Sequence, residues 1–332
     1  MKKVAVIGFG FMGITHSLNI LKCKDLELVA IIEKDVDTVP DKLKQQIGNL
    51  GTGNDDTVTL EKIPVYSSLE SCLAAEKLDA AHVCVHTDLH YTMVKTALNN
   101  GLHVLVEKPF VLDLQKGEEL IKLASDKNLI LMVAHVVRFM PPYQKLVEMI
   151  DSGQYGKLIF LSLSRFSGVP GWGQWKEKQD DFGISGGALF DLIIHDIDFA
   201  AFALRETSEK IESTVLPGKL SNHDYVNATW HYPSKKLIVK IEGGNIYHTN
   251  YPFQAGFTAV FEKATVSFST QNPEHIFIDN NKERNSIPVG DLDEGYFNEI
   301  ELFSKSIVKG FLPEKYSPES ALETIRLCYQ HI

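Results

Sequence analysis

Three short stretches of the chain carry residues whose types and spacing could do chemistry. The first is Val4-Ala5-Val6-Ile7-Gly8-Phe9-Gly10-Phe11-Met12-Gly13, an apolar run ending in three spaced glycines. In that register Gly8 permits a tight turn, Gly10 lets backbone approach a pyrophosphate, and Gly13 lets a helix pack closely on the strand. The helix opening there, with Phe11 and Met12 in its first turn, presents free N–H groups and a positive dipole end to the phosphates. Glu33 follows at the end of a second apolar run. A carboxylate in that place accepts hydrogen bonds from ribose hydroxyls, so the pattern predicts dinucleotide binding. Its charge repels a 2′-phosphate and favours NAD, while Lys34 beside it keeps NADP open; a solvated loop charge is the plain alternative.

The second stretch is Glu107-Lys108-Pro109, directly after the apolar run His103–Val106. In parallel sheets ligands bind at the C-terminal strand edge. An ammonium there can polarise a hydroxyl or carbonyl, and a neutral amine can take its proton. By itself, a strand-end lysine is more often a solvated charge. The third stretch is Ser185-Gly186-Gly187-Ala188-Leu189-Phe190-Asp191-Leu192-Ile193-Ile194-His195-Asp196-Ile197-Asp198. Asp191 and His195 are four apart and share one face of a helix. A carboxylate beside an imidazole orients it and stabilises its protonated form. The competing reading is a satisfied core histidine with a capping aspartate. Secondary candidates for substrate contact are His135, Arg138, Trp172 and Trp175, with Tyr247 behind them. The two tryptophans cap a sugar face or simply pack a loop. Arg138 holds a carboxylate or phosphate, or sits in a structural ion pair.

Such residues need a scaffold. Over the first hundred-odd positions, apolar runs of four to six residues alternate with helical stretches, the mark of a parallel sheet covered on both faces. This predicts a doubly wound α/β domain over residues 1–130. After Met140-Pro141-Pro142 the pattern changes to alternating segments at 158–166, 225–232, 237–242, 257–261 and 265–269. Strands without intervening helices predict an α+β domain over 131–332 with a large, open, mostly antiparallel sheet. The stretches 296–308 and 317–329 read as amphipathic helices, the second opened by Ser317-Pro318-Glu319. The segment 48–59, rich in Gly, Asn, Asp and Thr, reads as an exposed loop.

Composition narrows the class. A net charge of −10 with no basic tract argues against a nucleic-acid partner. Four scattered cysteines without a CxxC pair suit a reducing compartment and offer no metal site. No apolar run reaches the roughly 18 residues of a membrane span. The N-terminus enters a strand directly, so the expected location is the cytoplasm.

Taken together, the chain resembles the Gfo/Idh/MocA oxidoreductases. The matching stretches are Val4–Gly13, the run from Gly101 to Pro109, and Ser185–Asp198 with its glycine pair. Thr87-Asp88-Leu89-His90, Arg138-Phe139, Gly153–Lys157 and the tail helix after Tyr296 also match. The resemblance implies a Rossmann domain joined to an α/β domain whose open sheet forms a homodimer or homotetramer interface. It implies Lys108, Asp191 and His195 as the catalytic group, and Thr87, His90 and Glu107 near the cofactor. It also implies a cis bond at Lys108–Pro109. The expected reaction is hydride transfer between a nicotinamide and a hydroxyl-bearing carbon of a sugar, sugar derivative or cyclitol. His195 is then the base, Lys108 a hydrogen-bond donor to the reacting oxygen, and Asp191 the residue that orients them. A keto-sugar or imine reductase and a non-catalytic NAD-dependent sensor remain as alternatives. Two departures bear on the substrate class: His86 stands where the family often has proline, and Gly243-Gly244-Asn245 replaces a frequent Ser-Trp.

Overall fold

The computed structural model describes residues 1–44, 59–169 and 186–332. They form two compact units, Met1–Val136 with Tyr296–Leu322, and Val137–Gly295 with Glu323–Ile332. The expected division at 130/131 cuts the chain once, whereas these units share out the tail. For the first unit the reason lies in its core, where Ala321 and Leu322 are buried among the strand residues.

In the first unit six strands pair in parallel: β1 (Lys2–Ile7), β2 (Leu26–Ile32), β3 (Val65–Tyr66), β4 (Ala80–Val83), β5 (His103–Glu107) and β6 (Leu131–Ala134). Their order is β3-β2-β1-β4-β5-β6. The winding therefore reverses between β1 and β4, and ligands of such sheets bind beyond the strand ends at that reversal. Helices α1 (Phe11–Lys22), α2 (Val39–Lys44), α3 (Leu69–Ala75), α4 (Thr87–Asn99) and α5 (Leu114–Asp126) lie between strands along the chain. All four residues of β4 are buried, which is why its sequence does not alternate; three of them are apolar and the fourth is His82. Helix α5 starts where Asp113 accepts hydrogen bonds from the Gln115 and Lys116 amides, and it buries Gly117, Leu120 and Ala124 on one stripe.

The second unit is built on eight strands: β7 (Leu158–Gly168), β8 (Lys210–Leu216), β9 (Tyr225–Tyr232), β10 (Leu237–Tyr247), β11 (Gln254–Phe261), β12 (Thr265–Ser269), β13 (Asn272–Asp279) and β14 (Arg284–Pro288). The order is β14-β13-β12-β11-β7-β10-β9-β8, antiparallel except for the β7–β10 pair. This is the large, mostly antiparallel sheet expected. Helices α6 (Pro141–Ser152) and α7 (Ile194–Leu204) belong to this unit. The Tyr143 ring of α6 meets Phe199 of α7, Phe257 of β11 and Phe268 of β12, with centroids 4.8, 5.4 and 6.1 Å away. Both helices therefore cover the same sheet face, where Leu161, Leu163, Trp230, Val239 and Ile241 are also buried. Along the opposite face, register aligns Val260, Phe160, Ile238 and His231 in one row across β11, β7, β10 and β9.

The tail carries α8 (Glu294–Lys309) and α9 (Pro318–Tyr329). Ser317 caps α9 as its sequence predicts, its hydroxyl accepting from the Ser320 amide at 3.3 Å.

Candidate active site

Every cofactor residue expected from the sequence lies in the first unit, and most gather at one strand edge. Gly8 follows β1 with φ of +89°, a left-handed conformation that L side chains rarely adopt. A Cβ on Gly13 would fall 2.0 Å from the Gly8 carbonyl oxygen, so glycine there is a packing requirement between helix and turn. Gly10 differs, because a Cβ on it would meet nothing within 4 Å. Space is thus open beside the α1 N-terminus, where Gly10 is the N-cap and supplies no side-chain cap. Helix-opening amides without a capping side chain, beside open space, are what a pyrophosphate needs. The residues fit a dinucleotide.

Glu33 stands at the end of β2. Its Oε2 accepts from the Phe9 amide at 3.0 Å and from Lys42 Nζ at 2.8 Å, and Oε1 lies 3.4 Å from the Asp35 amide. Burial alone would push this carboxyl up, but Lys42 and the two amides outweigh it and hold the group below its ordinary value. The cation on Glu33 is therefore Lys42, nine residues on, rather than the adjacent Lys34.

Thr87 opens α4 behind β4, and Glu107 closes β5. The Lys108–Pro109 bond is cis. Glu107 is buried, and its Oε2 accepts from the Lys108 amide at 3.1 Å. His90, expected near the cofactor, is itself buried with both ring nitrogens against backbone carbonyls. Nδ1 lies 2.8 Å from the Pro109 oxygen and Nε2 3.0 Å from that of Val85. Its ring ties the loop after β4 to the segment after Lys108. Burial pushes His90 below its ordinary value, against the pull of the carbonyls and of Glu107. His135, just past β6, is buried as well.

Asp191 and His195 lie in the second unit. A π-helical turn, Leu189–Ile193, carries Asp191 and runs into α7, whose second residue is His195. One wider turn inside a helix is a frequent feature of functional sites. Among residues 188–200 only Asp191, Leu192 and His195 keep partial exposure, and the others are buried. The predicted shared face is therefore the accessible one.

What holds this helix start in place is a pair of ion pairs, of which sequence reasoning passed over Arg165–Asp196. Asp196 receives Arg165 Nε at 2.9 Å and Nη2 at 3.2 Å. Asp198 receives Arg138 Nε at 2.8 Å and Nη2 at 2.6 Å, and also the Thr324 hydroxyl at 2.8 Å. All four charged residues are buried, and such fork-to-fork pairs fix orientation as well as distance. Arg138 is thus the structural ion pair of the two readings open in the sequence. The signal was present in the His195-Asp196-Ile197-Asp198 run, where two further carboxylates stand on a buried helix. Trp172, Trp175 and Ser185 lie outside the described residues. Among the described residues no group of three His, Cys, Asp or Glu is placed to hold a metal.

Residues 2–135 match the family model described as the oxidoreductase family with an NAD-binding Rossmann fold, and residues 143–267 match the C-terminal domain model of the same family. The inositol 2-dehydrogenase of Rhizobium meliloti is 26% identical over 93% of this chain and 89% of its own length. The D-glucoside 3-dehydrogenase of Escherichia coli is 29% identical over 61% of this chain and 54% of its own. An oxidoreductase of Agrobacterium radiobacter, solved with NAD+, L-tartaric acid and magnesium, superposes with a TM-score of 0.79 at 16% identity, over 99% of this chain and 94% of that one. Two family models in sequence, a strand order of the dinucleotide-binding type and a glycine turn shaped for phosphate converge: the chain belongs to the Gfo/Idh/MocA oxidoreductases, nicotinamide-dependent enzymes with an NAD-binding Rossmann domain.

Proposed function

We propose that the protein is a dehydrogenase that moves a hydride between NAD and a hydroxyl-bearing carbon of a sugar, sugar derivative or cyclitol. The observation that carries this reading is the placement of Lys108. It follows β5 on the same strand edge as the glycine turn and Glu33, the edge at which ligands of such sheets bind. Relatives acting on inositol and glucosides supply the substrate class.

A bound nicotinamide supplies the hydride acceptor or donor at its C4. The remaining steps fall to side chains of the chain. In the oxidative direction His195 takes the hydroxyl proton as hydride leaves the same carbon, giving a carbonyl product. Lys108 donates a hydrogen bond to that oxygen and stabilises its developing negative charge. Asp191, on the accessible stripe with His195, orients the imidazole or binds a neighbouring hydroxyl. Glu33 selects NAD over NADP. The open sheet face, with Phe160 and Ile238 side by side on neighbouring strands, is the proposed homo-oligomer surface. The expected location is the cytoplasm.

The test is a panel of cyclitols, aldoses and glycosides with NAD, read by reduced-nicotinamide absorbance. Turnover is expected on at least one member, and Lys108→Ala should lower kcat by about a hundredfold or more while NAD affinity stays within about threefold. NAD binding without turnover across the panel would favour the sensor. Wild-type turnover in the variant would remove Lys108 from the chemistry. Light scattering on the eluted protein reads the assembly, and a monomer would reject the sheet interface.

A further inference from the structure

A histidine in the middle of a buried parallel strand is an expensive residue, and this chain has one. His82 lies in β4, fully buried between aliphatic neighbours. Its Nδ1 is 3.1 Å from Nδ1 of His16, itself fully buried on α1. His16 Nε2 is 3.0 Å from Oε1 of Glu107. Glu107 in turn accepts the Lys108 amide on Oε2 at 3.1 Å. One continuous line of hydrogen bonds thus runs from the strand core, through the helix that opens after the glycine turn, to the backbone of the lysine. All of it lies within the first unit.

The proton positions follow from counting donors. An ionised Glu107 accepts only, so His16 Nε2 carries hydrogen. Between the two Nδ1 atoms one proton is needed. Placing it on His82 leaves both rings neutral, and the sole unsatisfied atom is then the bare Nε2 of His82, which has no hydrogen-bond partner. That ring stands edge-on to Phe303, with centroids 5.3 Å apart. Placing it on His16 instead buries an imidazolium and leaves an N–H of His82 unpaired, the costlier choice. Burial first, and the neighbouring His16 second, push His82 well below its ordinary value, in keeping with a neutral His82 ring.

We propose that His16 and His82 are positioning residues for Lys108: they lock the Glu107 carboxylate, and the carboxylate fixes the lysine backbone relative to the pyrophosphate-binding helix. Neither touches a reacting atom. The line ends on the Lys108 backbone amide, so the role proposed for it is geometric rather than proton delivery. Its consequence for turnover rests on the dehydrogenase reading above, whereas its consequence for the Lys108 amide does not.

The experiment therefore has two arms, each comparing a deletion with a mimic. Leucine fills the space of the ring without hydrogen bonding. Glutamine places a donor where Nε2 stands, and asparagine places one where Nδ1 stands. By hydrogen–deuterium exchange on the intact protein without cofactor, the Lys108 amide is expected to exchange about tenfold or more faster in His16→Leu. In His16→Gln it should exchange within about threefold of wild type, and His82→Asn should likewise protect better than His82→Leu. In the kinetic arm, His16→Leu should lower kcat about tenfold with KM for the polyol within about twofold, and His16→Gln should recover most of the loss. Unchanged exchange in a folded His16→Leu protein overturns the proposal, whatever its kinetics. Equal loss in Leu and Gln variants reduces the pair to packing and overturns it too. If wild type turns over nothing on the panel, the dehydrogenase reading falls while the exchange arm still decides the positioning claim.

Discussion

At the scale of single residues, the site depends on keeping particular charges in particular states. Glu33 stays ionised because Lys42 and two amides outweigh the burial that would neutralise it. A 2′-phosphate arriving beside that carboxylate meets a like charge in partly desolvated surroundings, where unit charges a few ångströms apart repel by about 4 kcal/mol before solvent screening. Removing the charge while keeping the shape isolates this effect. Glu33→Gln is expected to raise the ratio of kcat/KM for NADP over NAD about tenfold or more, with Lys42 released to meet the phosphate. An unchanged ratio would mean that selectivity lies elsewhere. The carboxylate itself was legible in the sequence from its place after the second apolar run, but its counter-ion was not. The sequence offered Lys34 only as a cation for a 2′-phosphate, whereas α2 brings Lys42 back to Glu33 at the strand end. Arg138 teaches the same lesson. Its type suited an anion, and only the fold reveals that Asp198 already occupies its fork.

Elements were legible where both faces of a strand are covered and weakly so at sheet edges. The runs at 4–8 and 103–106 predicted β1 and β5 because burial on two sides demands mostly apolar residues. β8, Lys-Ile-Glu-Ser-Thr-Val-Leu, was missed, being mostly exposed at one edge of the second sheet. β14 at the other edge is likewise exposed and was missed for the same reason. Edge strands carry polar residues that hide the alternation. The glycine turn joining β1 to α1 was read from sequence as three glycines with three purposes, and the structure separates two of them quantitatively. A methyl on Gly13 collides with the Gly8 carbonyl at 2.0 Å, a contact that cannot persist without moving helix from strand. A methyl on Gly10 touches nothing within 4 Å, and its φ of −87° accepts any L residue. Gly13→Ala should therefore lower the melting temperature by about 4 °C or more and weaken NAD with it. Gly10→Ala should melt within about 1–2 °C of wild type yet bind NAD about tenfold more weakly, because the methyl occupies the phosphate's approach. Equal melting losses in both would show that Gly10 serves the fold instead.

Across the whole molecule, buried imidazoles set a limit on acid stability that no sequence motif announces. His82 and His90 in the first unit and His331 in the second are all held below their ordinary value of 6.5, in each case chiefly by burial. His331 lies two residues past α9 and is buried. In the fold its Nδ1 donates to the Leu327 carbonyl at 2.6 Å, and its Nε2 accepts from the Trp230 indole at 3.0 Å. Both ring nitrogens are satisfied only in the neutral tautomer, and a second proton would oppose the Trp230 N–H. In the unfolded chain these groups bind protons as pH falls through about 6.5, whereas in the fold they resist, so unfolding gains protons. Their stability is complete above that value and is lost progressively as pH drops below it. Carboxylates held low, such as Glu33 and Asp79, keep their contribution to lower pH, which leaves the interval between about 6.5 and 5 to the histidines. The melting temperature should be flat from about pH 8 to 7 and decline through that interval. His331→Gln keeps an acceptor for Trp230 but cannot titrate, so it should melt lower than wild type at pH 7.5 and lose less on acidification. A variant that loses as much between pH 7 and 5 as wild type would exclude His331 from the acid limb and leave it to His82, His90 and His103 of the first unit.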